Sequence, residues 1–172
     1  MSESYEPQIV VDALNEYFER MVEIVFRYEG TLDKFIGDEM MVLFGSPVAH
    51  PDDPTRAVRA AIEMQQALGA INERHAARSL PPFDIGIGIN TGEVVAGYIG
   101  SSQALEYTVI GDPVNTGSRL CSLAKRGQTL VSEGTVAKLG GAFELTELPP
   151  EQVKGKAQPI RVFELLGPRT QG

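Results

Sequence analysis

Two apolar segments flank a glycine–aspartate pair in the stretch Lys34-Phe35-Ile36-Gly37-Asp38-Glu39-Met40-Met41-Val42-Leu43-Phe44-Gly45. Such runs joined by a Gly-Asp pair are typical of a β-hairpin, so we expect strands over Thr31–Ile36 and Glu39–Phe44. Asp38 then lies at the tip, where a rigid turn presents its carboxylate to solvent. This oxygen suits a hard divalent cation. Because Gly and Asp also favour turns for backbone reasons alone, the stretch by itself leaves both interpretations open.

Both faces of this hairpin are expected to be largely apolar. Strict alternation places two sets of side chains on opposite faces: Leu32, Lys34, Ile36, Met41 and Leu43 on one, and Phe35, Met40, Val42 and Phe44 on the other. It also predicts that Asp33 faces away from Lys34. Helices of the same chain can cover one face, and a partner subunit is a natural cover for the second. The hairpin therefore predicts a dimer.

The composition predicts one domain over residues 1–172. Hydrophobic residues make up 42% and charged residues 22%, as in ordinary globular proteins. The 15 Lys and Arg against 23 Asp and Glu give a net charge of −8, which argues against non-specific nucleic-acid binding. The single cysteine, Cys121, excludes an internal disulfide and fits a reducing compartment. Without a secretory leader or a long apolar run, we expect a cytoplasmic domain, or the cytosolic part of a larger protein, with no membrane contact from this segment.

Periodicity predicts the remaining elements. Helical spacing of apolar residues predicts helices over about 7–28, 54–78, 113–125 and 135–139. Alternation predicts strands over 83–90 and 94–99, joined as a second hairpin, and further strands over 129–132, 143–148 and 160–166. Since several strand pairs are tight hairpins, the expected class is α+β with a mixed or antiparallel sheet.

A second polar motif follows in Glu106-Tyr107-Thr108-Val109-Ile110-Gly111-Asp112-Pro113-Val114-Asn115-Thr116-Gly117-Ser118-Arg119-Leu120. Asn115 and Arg119 are four residues apart on a predicted helix, so they share one face. An amide beside a guanidinium suits a phosphate or a ribose, because Arg offers a planar fork of donors. An ordinary solvated helix face has the same spacing. Gly117 is unfavourable in a helix by about 1 kcal/mol relative to Ala, which indicates close packing of this helix on the sheet.

Together these stretches resemble the catalytic domain of class III adenylyl and guanylyl cyclases. The matches follow family order between about Ile9 and Leu166: Leu14 to Phe18, the K-x-x-G-D-x-x-M pattern at Lys34 to Met41, Ile87 to Glu93, Tyr107 to Leu120, and Val153 to Lys156. An unrelated ferredoxin-like binding domain does not account for so many ordered matches. The resemblance implies a ferredoxin-like α+β fold with helices on one face of the sheet. It also implies conversion of a nucleoside triphosphate into its 3′,5′-cyclic nucleotide and pyrophosphate, with two Mg²⁺ or Mn²⁺ ions at each site.

The resemblance assigns roles around the base and the metal. Asp38 corresponds to the second of two metal-binding aspartates. Lys34 resembles the position that reads the N1 edge of adenine, and Thr108 the position that supports base choice. Guanylyl cyclases usually carry Glu at the lysine position, so Lys34 favours ATP. Thr108, where Asp is commoner, resembles a subclass associated with bicarbonate responsiveness.

Further roles concern the ribose and the phosphates. Asn115 resembles the residue that orients the ribose, and Arg119 the one that stabilises the transition state. Lys154 resembles the lysine that contacts the terminal phosphates, with Lys156 as an alternative. In this family the active site is shared across a head-to-tail homodimer. Asp38 would therefore serve one site, while the substrate-binding and catalytic residues of the same chain serve the other.

One family feature is missing. The first metal aspartate lies in a strand of the type F-x-D-I-x-G-F-T before the first helix, and no such strand precedes Pro7. Asp12 lies within the helix and Asp33 is expected to face away from Lys34, so neither replaces it. We therefore expect an N-terminally truncated catalytic domain without a central strand, with weak or no activity alone. The alternative is a non-catalytic nucleotide-binding or dimerisation module with the cyclase fold. An in-frame F-x-D-I-x-G-F-T upstream would favour the enzyme.

Overall fold

The computed structural model describes residues 5–170, which form four helices and eight strands. In chain order these are α1 (Pro7–Arg27), β1 (Thr31–Ile36), β2 (Glu39–Leu43), α2 (Asp53–Ala77), β3 (Ile87–Ile89), β4 (Val95–Ser101), β5 (Ala104–Ile110), α3 (Asp112–Leu123), β6 (Thr129–Ser132), α4 (Glu133–Val136), β7 (Phe143–Glu151) and β8 (Ile160–Pro168). The α+β class is as predicted, and so are the three long helices, the first hairpin and the closing strand pair. None of the helices within residues 5–170 combines the length and the apolar character of a membrane span.

The strands form three separate hydrogen-bonded groups. β1 pairs with β2, β4 pairs with β5, and the remaining strands form a four-stranded sheet in the order β3-β6-β8-β7. In the four-stranded sheet β3 runs parallel to β6, whereas the other pairs are antiparallel. The sheet is thus mixed, as predicted. Within residues 5–170, no ladder joins the β1–β2 hairpin to the four-stranded sheet.

The prediction of a second hairpin over 83–90 and 94–99 is wrong. β4 pairs instead with β5, a strand that periodicity did not predict, through a turn at 102–103. Side chains of α2 form hydrogen bonds with backbone groups of Phe83 and Ile85, in the segment predicted to be a strand. The amide of Asn72 both donates to the carbonyl of Phe83 at 2.7 Å and accepts from its N–H at 2.8 Å. Gln65 donates to the carbonyl of Ile85 at 3.2 Å. Of the predicted strand 83–90, only Ile87–Ile89 is a strand, and it pairs with β6.

An irregularity in β1 changes which side chains of the hairpin share a face. Lys34 is opposite Met41, but Leu32 is opposite Val42, so Asp33 is an extra residue in the ladder. Leu32 therefore shares the face of Val42 and not that of Lys34. The Asp33 carboxylate is only 2% exposed, and its Oδ2 lies 3.7 Å from Lys34 Nζ. The expectation that Asp33 faces away from Lys34 is therefore wrong, because a bulge shifts the alternation by one residue.

The first hairpin is held by a core that it shares with the two long helices. Met21 and Ile24 of α1 and Ile71 of α2 are fully buried, and Met40 and Phe44 pack against this cluster. Burial of a side chain of this size contributes about 1.5–3 kcal/mol. The helices thus cover one face of the hairpin and fix its position.

Strand β3 and helix α3 approach each other unusually closely. A Cβ atom added to Gly88 would lie 2.3 Å from the backbone nitrogen of Cys121 and 2.6 Å from the carbonyl oxygen of Gly117. A Cβ atom added to Gly117 would meet only Cβ of Asn90, at an ordinary 3.7 Å. The predicted close packing is present, but Gly88 and not Gly117 is the residue that requires it.

Alanine substitutions on the two sides of this contact are expected to have opposite effects. Gly88→Ala should lower the free energy of unfolding by about 1–3 kcal/mol, because the atoms in its way are backbone atoms. Gly117→Ala should raise it by up to about 1 kcal/mol, because Ala is the better helix former and finds room. Urea unfolding measures both values. Equal destabilisation by the two substitutions would contradict this account of the packing.

Candidate active site

The tip of the first hairpin presents the predicted metal ligand to solvent. Gly37 has a φ of 63°, which other residues rarely adopt, and it forms the two-residue turn with Asp38. Asp38 and the adjacent Glu39 are exposed. Burial, followed by the charge of Asp38, raises the pKa of Tyr17 to about 12. Burial, followed by the charge of Glu39, raises the pKa of the Cys121 thiol. The tip is therefore close enough to both α1 and α3 for charges to interact.

The donor set at this tip suits a divalent cation that is shared with a triphosphate. Proteins commonly hold Mg²⁺ through one or two carboxylates together with the phosphates of the substrate. Asp38 supplies one such carboxylate on a fixed turn. Within residues 5–170, no three His, Cys, Asp or Glu side chains are grouped so that they could hold a metal by themselves. A cation bound at the tip would therefore need further ligands, such as the phosphates of a bound molecule.

Lys34 and Thr108 meet around one buried carboxylate. The hydroxyl of Thr108 donates a hydrogen bond of 3.1 Å to Oδ2 of Asp33. The same oxygen lies 3.7 Å from Lys34 Nζ, which is also 3.6 Å from Oε1 of Glu106. Thr108 is buried, and 30% of the Lys34 side chain is exposed. The two predicted base-reading residues come from different hairpins, and the structure places them side by side.

Asp33 is the member of this cluster that sequence periodicity did not predict. A signal was nevertheless present, since the polar pair Asp33-Lys34 separates Leu32 from Phe35 and so breaks the period of two of a regular strand. Thr108 and Lys34 both contact the same oxygen of Asp33, Oδ2. The carboxylate is therefore part of the cluster around the predicted base-reading residues.

Helix α3 carries Asn115 and Arg119 on an exposed face, as predicted. Only Gly111 separates it from β5, so the strand that carries Thr108 leads directly into this helix. The side-chain amide of Asn90 donates to the carbonyl of Pro113 at 2.9 Å, which attaches the first turn of α3 to the end of β3. The helix is thus fixed at its start by this bond and along its length by the close contact with β3.

The two candidate phosphate-binding lysines differ in their contacts. Lys156 Nζ forms an ion pair of 2.8 Å with Oδ2 of Asp112, the first residue of α3. Lys154 is exposed. The ion pair holds the segment that contains Lys154 beside the start of the helix that carries Asn115 and Arg119. Lys154 therefore stays the predicted phosphate contact, with Lys156 as the alternative.

The segments that carry these candidate site residues match a known family of catalytic domains. The family model described as the adenylate and guanylate cyclase catalytic domain matches residues 1–167. The chain belongs to this family. The resemblance to class III cyclases is therefore confirmed. The cyclase fold brings Lys34, Asp33 and Thr108 together and leads from Thr108 into the helix of Asn115 and Arg119.

Curated relatives are much longer than this cyclase domain. Adenylate cyclase 1 of Rhizobium meliloti (strain 1021) is 34% identical over 169 residues, which are 97% of this chain and 25% of that protein. The adenylate cyclase of Anabaena cylindrica is 36% identical over 176 residues, which cover 96% of this chain and 34% of that protein. The chain thus spans about a quarter to a third of the curated relatives that it matches.

Solved structures of both nucleotide specificities superpose on the cyclase domain. The guanylyl cyclase Cya2 matches with a TM-score of 0.88 and 38% identity, over 98% of this chain and 85% of that one. The adenylyl cyclase CyaB from P. aeruginosa matches with a TM-score of 0.93 and 32% identity, over 98% and 87% respectively. Family membership therefore leaves the choice between ATP and GTP open.

Proposed function

We propose that this domain converts ATP into 3′,5′-cyclic AMP and pyrophosphate, for cyclic-nucleotide signalling in the cytoplasm. The observation that carries the proposal is the placement of Lys34 beside Thr108. An ammonium group only donates hydrogen bonds. N1 of adenine is an acceptor, whereas N1 of guanine carries a proton. A lysine at the family's base-reading position therefore supports ATP as the substrate.

In the proposed reaction the 3′-hydroxyl of ATP attacks its own α-phosphorus. The bond from O3′ to phosphorus forms as the bond to the bridging oxygen breaks, so pyrophosphate leaves with the electron pair and the hydroxyl proton passes to water. Asp38 would hold Mg²⁺ or Mn²⁺, which when bound would lower the pKa of the 3′-hydroxyl and neutralise phosphate charge. Arg119 donates to the α-phosphoryl oxygens, where negative charge grows. Asn115 orients the ribose and Lys154 holds the terminal phosphates.

A second copy of the chain completes the proposed site. Asp38 serves one site of a head-to-tail homodimer, and the base-reading and catalytic residues of the same chain serve the other. Large apolar side chains exposed on both two-stranded sheets support this arrangement: Phe35, Ile36, Val95, Tyr98 and Leu105. Exposed apolar surface of this kind is typical of a protein–protein interface.

Binding and turnover by the 172-residue chain test the proposal. ATP and GTP compete against a fluorescent ATP analogue in the presence of Mn²⁺, and mass spectrometry measures the cyclic nucleotide. We expect ATP to bind at least about tenfold more tightly than GTP, because each mismatched buried hydrogen bond costs affinity. Cyclic AMP should form, and Arg119→Ala should form it about 10²–10³ times more slowly. Equal affinities for the two nucleotides would contradict the assignment of ATP, and the absence of any binding would contradict the proposal as a whole.

A non-catalytic nucleotide-binding or dimerisation module is the second candidate function. The observation that favours it is that the described residues 5–170 contain no group of three His, Cys, Asp or Glu side chains that could hold a metal ion by themselves. The same experiment separates the candidates. A module binds ATP but forms cyclic AMP at one background rate in the wild type and in Arg119→Ala. Cyclic AMP formation by the wild-type chain well above the rate of Arg119→Ala would contradict the module.

A further inference from the structure

We propose that Asp33 sets the preference for ATP over GTP by fixing the hydrogen-bonding role of Thr108. The inference rests on the proposed function, since it names the residue that positions the base-reading pair. Asp33 acts through Thr108 and Lys34 and is therefore a positioning residue.

The argument begins with the single proton of the Thr108 hydroxyl. A threonine hydroxyl donates one hydrogen bond and accepts up to two. Here the proton is donated to Oδ2 of Asp33 over 3.1 Å. An ionised carboxylate only accepts, so the direction of this bond cannot reverse. With its proton in use, Thr108 meets a ligand only as an acceptor.

Adenine and guanine differ in what they require from such a group. Adenine carries an amino group at its six position, which donates, whereas guanine carries a carbonyl oxygen there, which accepts. An acceptor-only Thr108 therefore pairs with adenine but places two acceptors against each other when guanine is bound. A buried polar atom left without its partner lowers affinity, and this is how such a site rejects the wrong base.

The same carboxylate acts on Lys34. Its Oδ2 and Oε1 of Glu106 lie 3.7 Å and 3.6 Å from the ammonium group, which they hold between the two hairpins. At these distances the two contacts are ion pairs and not hydrogen bonds, so the ammonium keeps its donors for N1 of adenine. The Asp33 side chain is only 2% exposed, so water cannot easily replace it as the acceptor for Thr108. The donor and acceptor pattern around the base thus originates at Asp33.

A purely structural role for Asp33 predicts something different. In that case its bond to Thr108 merely links β1 to β5. A second link joins the same parts of the chain, since Ser46 Oγ and the hydroxyl of Tyr107 lie 3.3 Å apart. Tyr107→Phe removes that link and leaves the group around Asp33 untouched. It is the matched control, because it lies on the same strand, next to Thr108.

The test compares Asp33→Asn with Tyr107→Phe in the full chain, by competition of ATP and GTP against a fluorescent ATP analogue with Mn²⁺. In Asp33→Asn the new amide can donate to Thr108, which frees the hydroxyl proton for the carbonyl of guanine. We expect the preference for ATP over GTP to fall about tenfold, the effect of one hydrogen bond at a buried group. Tyr107→Phe should keep the wild-type preference, and so should Asp33→Glu if its longer carboxylate still reaches Thr108.

A double-substitution cycle tests whether Asp33 acts through the hydroxyl. Once Thr108→Val has removed the hydroxyl, Asp33→Asn should change the preference much less than it does alone. Circular dichroism checks that each variant is folded, and Asp33→Ser, which can also donate, replaces Asp33→Asn if the latter does not fold. An unchanged preference in a folded variant that binds ATP overturns the inference and leaves the proposed function intact. A wild-type chain that binds neither nucleotide overturns both.

Discussion

Two variants of the chain, Asp38→Asn and Arg119→Ala, are expected to recover about a quarter of the wild-type rate of cyclic AMP formation when they are mixed. Each alone should be about 10²–10³ times slower than the wild type, because each removes a charged group at the reacting phosphates. In a head-to-tail heterodimer both substitutions fall in one site and the other site is intact. Random mixing makes about half of the dimers heterodimers, each with one working site of two.

The rates are normalised to the wild-type chain under the same conditions, so slow wild-type turnover is sufficient. Mass spectrometry of cyclic AMP at high protein concentration with Mn²⁺ provides the measurement. The matched control mixes Asp38→Asn with a chain that carries both substitutions, which leaves no site intact in any dimer. If native mass spectrometry shows heterodimers and the rate does not recover, Asp38 and Arg119 do not serve a site shared between subunits.

Lys34→Glu combined with Thr108→Cys is expected to turn the preference of the domain from ATP towards GTP. The introduced carboxylate accepts from the protonated N1 and the amino group of guanine but is repelled by the N1 lone pair of adenine. The introduced thiol is a weak acceptor for the amino group of adenine. With one or two hydrogen bonds exchanged, the ratio of the two affinities should change about ten- to hundredfold. The competition assay with ATP and GTP measures this ratio.

Lys34→Met is the control for this change, because it removes the ammonium group without adding an acceptor for guanine. It should weaken ATP binding and should not create a preference for GTP. The introduced carboxylate also lies next to Asp33, so repulsion between like charges should lower the melting temperature, which thermal unfolding reports. A folded double variant that keeps the wild-type ratio would contradict the assignment of Lys34 and Thr108 to the base.

The first hairpin shows how far local signals extend. Its strands, its turn and the exposed position of Asp38 follow from residues that are neighbours in the chain. The bulge at Asp33 does not, because its side chain is bonded to Thr108, which lies 75 positions away. The same limit applies to residues 83–86, whose alternation is that of a strand, although Phe83 and Ile85 form hydrogen bonds with side chains of α2. Periodicity indicates the backbone conformation of a segment but does not identify the groups to which it is hydrogen-bonded.

The close approach of β3 and α3 gives a second example. A glycine within a helix correctly indicated tight packing, yet the glycine that needs the space is Gly88 on the strand. Composition and spacing cannot distinguish the two, because the conflict arises only when the two backbones are brought together.

By itself the amino-acid sequence determined the cyclase family, the α+β class, the hairpin that presents Asp38, and the helix face that carries Asn115 and Arg119. These features depend on turn chemistry, on helical spacing and on the order of the motifs, which are all properties of residues close together or in order along the sequence. Only the tertiary structure decided which strands pair and that Asp33 joins Lys34 to Thr108. Such contacts depend on competition among distant groups for buried hydrogen bonds, and that competition is settled only when the chain is folded.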